Sequence, residues 1–267
     1  MEFRTLGHSG LKVPALSFGT GTFGGGNEFF RAWGASDVAE ATRLVDICLE
    51  AGVNLFDTAD IYSDGLSETI LGKAIAGRRD DVLISTKATF RMGPGPNDLG
   101  SSRYHLIRAC EASLRRLGTD YIDIYRPARV DPAVPIEDTI GAIADMVRAG
   151  YVRYIGLSEA GAETIRRAHA VHPIVDLQIE YSLMSRGVEA AILPVTRQLG
   201  IAITAYGVLS RGLLSGRVPA ADTKGDIRVI RMPRFKHGNI ENNLRLVDAL
   251  RRIGNEKGAT PAQLALA

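Results

Sequence analysis

Cysteine, tryptophan and an excess of either charge are all scarce in this chain of 267 residues. The two cysteines, Cys48 and Cys110, both fall within amphipathic helical patterns, so buried reduced thiols are expected and neither a disulfide framework nor a metal site is. Lys and Arg total 32 against 30 Asp and Glu, the pI is near 8.6, and no like charges run together. That balance gives no nucleic-acid surface, and a small-molecule partner is expected instead. No apolar run approaches membrane-spanning length, and Met1 to Gly10 is polar where a signal peptide needs an apolar core. A cytoplasmic location with no membrane partner follows as the expectation. The length and the 45% hydrophobic content suffice for one large α/β domain spanning 1–267.

What the chain does have is alternation. Apolar runs of strand length occur near Leu16 to Gly19, Val53 to Asp57, Val82 to Lys87, Tyr121 to Arg126, Val152 to Gly156, Val175 to Ile179 and Ile201 to Tyr206. Helical patterns separate them: Asp37 to Ala51, Ser67 to Ala76, Ser101 to Leu117, Ile136 to Ala149, Ala162 to His169 and Val188 to Leu199. Gly52, Gly118, Gly150 and Gly200 stand where helix C-caps belong, each shortly before a strand. Such repetition predicts a parallel sheet and a closed (β/α)8 TIM barrel, whose catalytic residues sit at the carboxyl ends of the strands. Phe3 to Leu6 and Leu11 to Val13 flank His8-Ser9-Gly10, a hairpin expected at the barrel floor. After Tyr206 come a loop rich in Gly and Arg, a helix from about Ile240 to Lys257 and a helix just begun at Pro261. An eighth strand and closing helix are missing from this pattern, and a C-terminally incomplete barrel is the expectation.

Three residues with acid–base chemistry lie at consecutive strand ends: Asp57, Tyr62 and Lys87. A phenol is a poor proton donor near neutrality, but a cation beside it favours the phenolate and makes it a better acid. Asp57 in turn holds the ammonium in place. The trio suits hydride addition to a carbonyl carbon, with Tyr62 delivering the proton to oxygen.

On Gly52-Val53-Asn54-Leu55-Phe56-Asp57-Thr58-Ala59, Tyr62, Ser67-Glu68, Ser85-Thr86-Lys87, Arg115-Arg116-Leu117, Gly156-Leu157-Ser158, Gln178 and Arg211-Gly212-Leu213-Leu214-Ser215-Gly216, the chain resembles the aldo-keto reductases over essentially its whole length. The resemblance implies reduction of small-molecule aldehydes or ketones by NADPH, or NADH, without metal, with Tyr62 as proton donor supported by Asp57 and Lys87. It implies that Ser158 and Gln178 hold the nicotinamide carboxamide, with Asp57 also near the cofactor, and that Tyr206 lies beneath the ring. Gly207, Val208, Leu209, Ser210 and Gly212, with Arg217, are similar to the loop around the pyrophosphate, where backbone donors and a cation suit an anion.

The family commonly carries a histidine at the end of the fourth strand, and here Asp123-Ile124-Tyr125-Arg126-Pro127-Ala128 puts Ala128 at that position. By period-two alternation Arg126 shares the face of Ala128, so an interior pairing with an acid such as Glu159 or Glu180 is expected, equally as a substrate contact or as a structural ion pair. Ala128 together with Ser158-Glu159 points to the pyridoxal reductase branch. Potassium-channel β subunits also lack the histidine, which keeps open a second class, a cofactor-sensing regulatory subunit. Gly19-Thr20-Gly21-Thr22-Phe23-Gly24 satisfies a dinucleotide fingerprint, but Gly25-Gly26-Asn27 follows in place of a helix. These glycines read as a loop touching cofactor through Thr20 and Gly21. Trp33, with Phe29 and Phe30, is either an apolar cover for the substrate or loop packing.

Overall fold

The computed structural model describes residues 1–215 and 226–267. Strands β1 (Phe3–Thr5) and β2 (Lys12–Pro14) form the antiparallel hairpin, with Phe3 opposite Pro14. The main sheet follows in chain order: β3 (Phe18–Gly19), β4 (Leu55–Asp57), β5 (Leu83–Ala88), β6 (Ile122–Pro127), β7 (Val152–Ser158), β8 (Ile174–Glu180) and β9 (Ala202–Tyr206). Pairing from β3 through β8 is parallel. The helices are α1 (Glu28–Arg31), α2 (Val38–Glu50), α3 (Leu66–Ala74), α4 (Arg103–Leu117), α5 (Ile136–Arg148), α6 (Ala162–Val171), α7 (Val188–Leu199), α8 (Ile227–Arg231), α9 (Asn239–Lys257) and α10 (Pro261–Leu266). A parallel sheet with a helix after nearly every strand is the α/β architecture of a (β/α)8 barrel. Among the described residues, the elements after β9 are all helical.

Two compact units compose the chain, Met1–Gln178 with Ala190–Thr204, and Ile179–Glu189 with Ala205–Ala267. In the first, hairpin residues Leu6, Leu11 and Val13 cluster with Leu55, Leu83, Ile124, Tyr154, Val175 and Ala202, drawn from β4 to β9 in turn. These strand residues lie near the amino ends, so the hairpin covers that end of the strands and leaves the carboxyl ends for chemistry. The second unit has its own apolar centre, in which Leu213, Leu214 and Phe235 meet Ile240 and Val247 of α9.

Local signals account for the helix ends. Asp37 accepts a hydrogen bond from the Glu40 amide to start α2, Ser102 accepts from the His105 amide to start α4, and Gly118 ends α4 at φ +65°. Helices α3 and α4 touch at Gly72, where a methyl group would run into the Leu117 carbonyl oxygen. Two strands outrun their apolar pattern. β7 reaches Ser158 and β8 reaches Glu180, because the ladder needs only backbone groups, and Ser158 and Gln178 end as register partners. The first barrel strand is shorter than its pattern, since Leu16 is 53% exposed and stays outside the ladder.

Candidate active site

Parallel register sets the polar centre. Asp57 lies opposite Ser85 and Lys87 opposite Arg126, so alternate residues of β5 present Ser85 and Lys87 on one face. Lys87 Nζ donates to Asp57 Oδ2 at 2.7 Å and to the Thr58 carbonyl oxygen at 2.7 Å. Burial is the strongest influence on this ammonium and works against its charge. Asp57 and Tyr62 together outweigh burial and the repulsion from Arg126, so the Lys87 pKa is raised. Burial likewise favours a neutral Asp57, but Lys87, Arg126 and the Ser85 hydroxyl at 2.8 Å overcome it and hold the carboxyl below its ordinary value. Lys87 is a fixed cation near neutral pH and Asp57 a fixed anion.

Tyr62 opens a 3-10 turn, Tyr62–Gly65, straight after this strand end. Lys87 Nζ is 5.2 Å from the centroid of its ring, and the Phe30 ring packs on it at 5.7 Å. Gly21 lies close by, since a Cβ there would stand 3.9 Å from the ring. The two residues after Tyr62 are left-handed without being glycine, Ser63 at φ 50° and Asp64 at φ 57°. Their turn is tied down by Ser63 Oγ donating to the Phe23 carbonyl oxygen at 2.9 Å and Asn27 Nδ2 donating to Asp64 at 3.0 Å. Phe29 meets Phe30 at 5.1 Å and Trp33 at 6.2 Å, so an aromatic row runs from Trp33 to Tyr62.

Arg126 points inward as alternation requires, but its partners differ from those expected. Its guanidinium pairs with Asp176 of β8 at 2.5 Å and with Asp57 at 3.3 Å, and it also donates to Ser85. Glu180 is engaged instead with Arg234 at 2.9 Å, and Glu159 sits in a left-handed turn at φ 53°. The physical reason is sheet order. Strand β7 separates β6 from β8, and its residue between the two charges is Gly156, where a Cβ would collide with both Asp176 and the Arg126 side chain. Thr204 Oγ1 completes the set by donating to Asp176 at 2.5 Å. Lys87, Arg126, Asp57 and Asp176 thus form a charge-balanced interior quartet. Gly156→Ala is expected to lower the unfolding free energy by about 1–3 kcal/mol through overpacking, measured by denaturant titration. An unchanged midpoint would mean the pair has room to shift.

Ala128, at the histidine position, is 1% exposed, with its amide donating to the Ala88 carbonyl at 2.9 Å. Thr20 is fully buried, and its hydroxyl lies 2.9 Å from that of Ser67, so this side chain turns inward. No helix opens at Gly24; α1 begins only at Glu28, as the loop reading requires. Ser158 and Gln178, 2% and 6% exposed, stand side by side at the ends of β7 and β8. A hydroxyl beside an amide is the donor and acceptor set that a primary carboxamide pairs with.

In the second unit, Tyr206 ends β9, and the Arg211 guanidinium lies 5.7 Å from its ring centroid. The turn after it carries positive φ at Gly207 (66°), Ser210 (49°), Arg211 (60°) and Gly212 (91°), with Val208 and Leu209 between. The Ser210 amide donates to the Gly207 carbonyl at 2.7 Å, and its hydroxyl is buried 3.1 Å from that of Ser182. Arg217 lies outside the described residues. Asp176 is the member of the interior quartet that sequence reasoning missed. Its signal was an acid inside an apolar strand, on the same face as Gln178 two residues later.

A barrel sheet with a Tyr, Lys and Asp constellation at the carboxyl ends of adjacent strands defines an α/β oxidoreductase of carbonyl compounds. Residues 15–267 match the model of the Aldo/keto reductase family, and the chain belongs to that family. Probable aldo-keto reductase 1 of Glycine max is 38% identical over 266 residues, which is 98% of this chain and 75% of that protein. The solved structure of the glycerol dehydrogenase from Gluconobacter oxydans matches with a TM-score of 0.85 at 28% identity, over 98% of this chain and 80% of that one. The family generally uses NAD(P)H. Among the described residues no helix is long and apolar enough to cross a membrane.

Proposed function

We propose that this protein reduces aldehydes with NADPH in the cytoplasm, Tyr62 being the proton donor. The observation that carries the reading is Lys87, locked to Asp57 at 2.7 Å and held 5.2 Å from the Tyr62 ring. A fixed cation there stabilises negative charge on the phenol oxygen as its proton leaves. Asp57 keeps the ammonium aimed, and Arg126 with Asp176 keeps Asp57 aimed. The bound cofactor supplies a hydride. Ser158 and Gln178 orient its carboxamide, Tyr206 offers a ring face, and the turn at 207–212 offers backbone donors. Ala128 contributes no hydrogen bond, so Tyr62 works without the imidazole that the family commonly places beside it. Intrinsically reactive carbonyls are therefore favoured over simple ketones, and the Phe29 and Trp33 row suits aromatic aldehydes.

Single-turnover oxidation of bound NADPH by a panel of aromatic aldehydes tests this reading. Measurable turnover on aldehydes, with poor turnover on matched ketones, is expected. The absence of the histidine at Ala128 favours one competing reading, a cofactor-sensing regulatory subunit. Tight NADPH binding with no turnover on any aldehyde would select it and reject the reductase.

Tyr206→Ala is expected to weaken NADPH binding about threefold to tenfold, because an aromatic face is worth about 0.5–1.5 kcal/mol beyond its area. Isothermal titration measures it. Unaltered affinity would remove Tyr206 from the cofactor site.

A further inference from the structure

Asp57 meets two cations at once, one on each carboxylate oxygen. Lys87 Nζ donates to Oδ2 at 2.7 Å, and Arg126 Nη1 donates to Oδ1 at 3.3 Å. The Ser85 hydroxyl bridges the second pair, since it donates to Oδ1 at 2.8 Å and accepts from the same Arg126 nitrogen. On its other side the guanidinium is held by both oxygens of Asp176, with Nε donating to Oδ1 at 3.1 Å and Nη2 to Oδ2 at 2.5 Å. A continuous set of hydrogen bonds therefore links Asp176 on β8, Arg126 on β6, Ser85 on β5, Asp57 on β4 and Lys87 on β5. The Arg126 side chain is 1% exposed and that of Asp176 is wholly buried.

A buried Arg and Asp pair is a weak source of stability, because desolvating both charges offsets most of their attraction. This pair touches the carboxylate that holds Lys87, and there it has an electrostatic effect. Arg126 contacts Asp57 directly, whereas Asp176 is reached through the guanidinium, so the pair turns its positive end to Asp57. That positive end offsets part of the Asp57 charge, which alone would cancel much of the Lys87 field at the Tyr62 ring 5.2 Å from Nζ. Repulsion between the two cations is the opposing effect, and the Lys87 pKa is raised despite it. Burial disfavours the Arg126 cation too, but Asp176, Asp57 and, after them, Tyr62 outweigh burial and raise its pKa. Coulombic attraction is mutual, so Arg126 also stabilises negative charge on the Tyr62 oxygen. Ala128 supplies no hydrogen bond at this site, which leaves the cations to do so.

We propose that Arg126 is an electrostatic positioning residue for the reduction: it acts through Asp57 and Lys87, offsetting the Asp57 charge so that the Lys87 ammonium stabilises the Tyr62 oxygen as its proton leaves. Asp176 holds the guanidinium in place for this. The role rests on Tyr62 being the proton donor, and it makes the charge of Arg126, beyond its hydrogen bonds, the property that counts.

The test is single-turnover oxidation of bound NADPH by a reactive aromatic aldehyde, with cofactor affinity titrated alongside. In the double variant Arg126→Gln with Asp176→Asn both charges go together, two amides keep hydrogen-bonding capacity, and neither partner is left as a lone buried charge. Its rate is expected to fall at least about tenfold while NADPH affinity stays within about threefold of wild type. Arg126→Gln alone should lose at least as much. Arg126→Lys restores a cation and should return the rate to within about threefold of wild type, and Asp176→Asn, which keeps the guanidinium, should lose less than about threefold. A wild-type rate in the double variant would overturn the proposal, since Arg126 would then serve packing alone. So would a loss in Arg126→Lys or Asp176→Asn as large as that in Arg126→Gln, because shape and not charge would then govern the rate. No turnover by the wild type on any aldehyde would reject the reductase and this role with it. Wild-type turnover that the double variant matches would reject this role alone.

Discussion

Tyr62→Phe is expected to cut carbonyl reduction about 10²- to 10⁴-fold while NADPH affinity stays near wild type, because the ring still packs and only the proton donor is gone. Phe30 at 5.7 Å and the close approach of Gly21 hold the aromatic ring, and neither contact uses the hydroxyl. Stopped-flow oxidation of NADPH with a reactive aldehyde, alongside titration of the cofactor, separates chemistry from binding. Activity within a few-fold of wild type would remove Tyr62 from the mechanism. Lys87→Met should show a similar loss in rate, since the ammonium that stabilises charge developing on the phenol oxygen is gone. Turnover within a few-fold of wild type would mean that Lys87 only holds Asp57 and does not assist Tyr62.

The second large effect is on stability. Arg126→Met leaves Asp176 buried without its cation, and Asp176→Leu leaves the guanidinium with Asp57 as its one remaining anionic partner among those described, so each single change is expected to cost about 3–5 kcal/mol. Replacing both together removes the uncompensated charge and should recover most of that loss, because two apolar side chains suit an interior that two paired charges occupied. A double-mutant cycle by denaturant unfolding measures the coupling. Additive losses would show that the 2.5 Å pair contributes nothing as a pair. Acid should expose the quartet too. Asp57 has a depressed pKa, so its contribution is present above the unfolded value of about 3.9 and disappears as pH falls through the folded one.

How far the sequence reached follows from the range of the forces involved. The alternation of apolar runs with helical period, the caps at Asp37, Ser102 and Gly118, and the hairpin at His8-Ser9-Gly10 depend on a residue and its near neighbours. All are legible in one dimension. The same holds for Asp57, Tyr62 and Lys87 as ends of consecutive strands, since a parallel sheet brings such ends together whatever its detailed register. Period two told which face Arg126 occupies. It did not tell what stands opposite, because that depends on β7 lying between β6 and β8 with a glycine at the crossing point.

Tertiary structure alone decided the rest. Thr20 reads in sequence as a loop residue beside a glycine fingerprint, yet its hydroxyl is drawn to Ser67, 47 positions away. Asp60 reads as a polar residue between Ala59 and Ile61, and only the tertiary structure shows it fully buried with neither carboxylate oxygen hydrogen-bonded. The turn that carries Tyr62 bends through two left-handed residues, Ser63 and Asp64, held by bonds to Phe23 and Asn27 from a distant loop. Composition and periodicity determine which segments form strands and helices and which faces they bury. Pairing of buried charges is a contest between desolvation and a particular partner at hydrogen-bond distance, and that partner is chosen by the register and order of the strands.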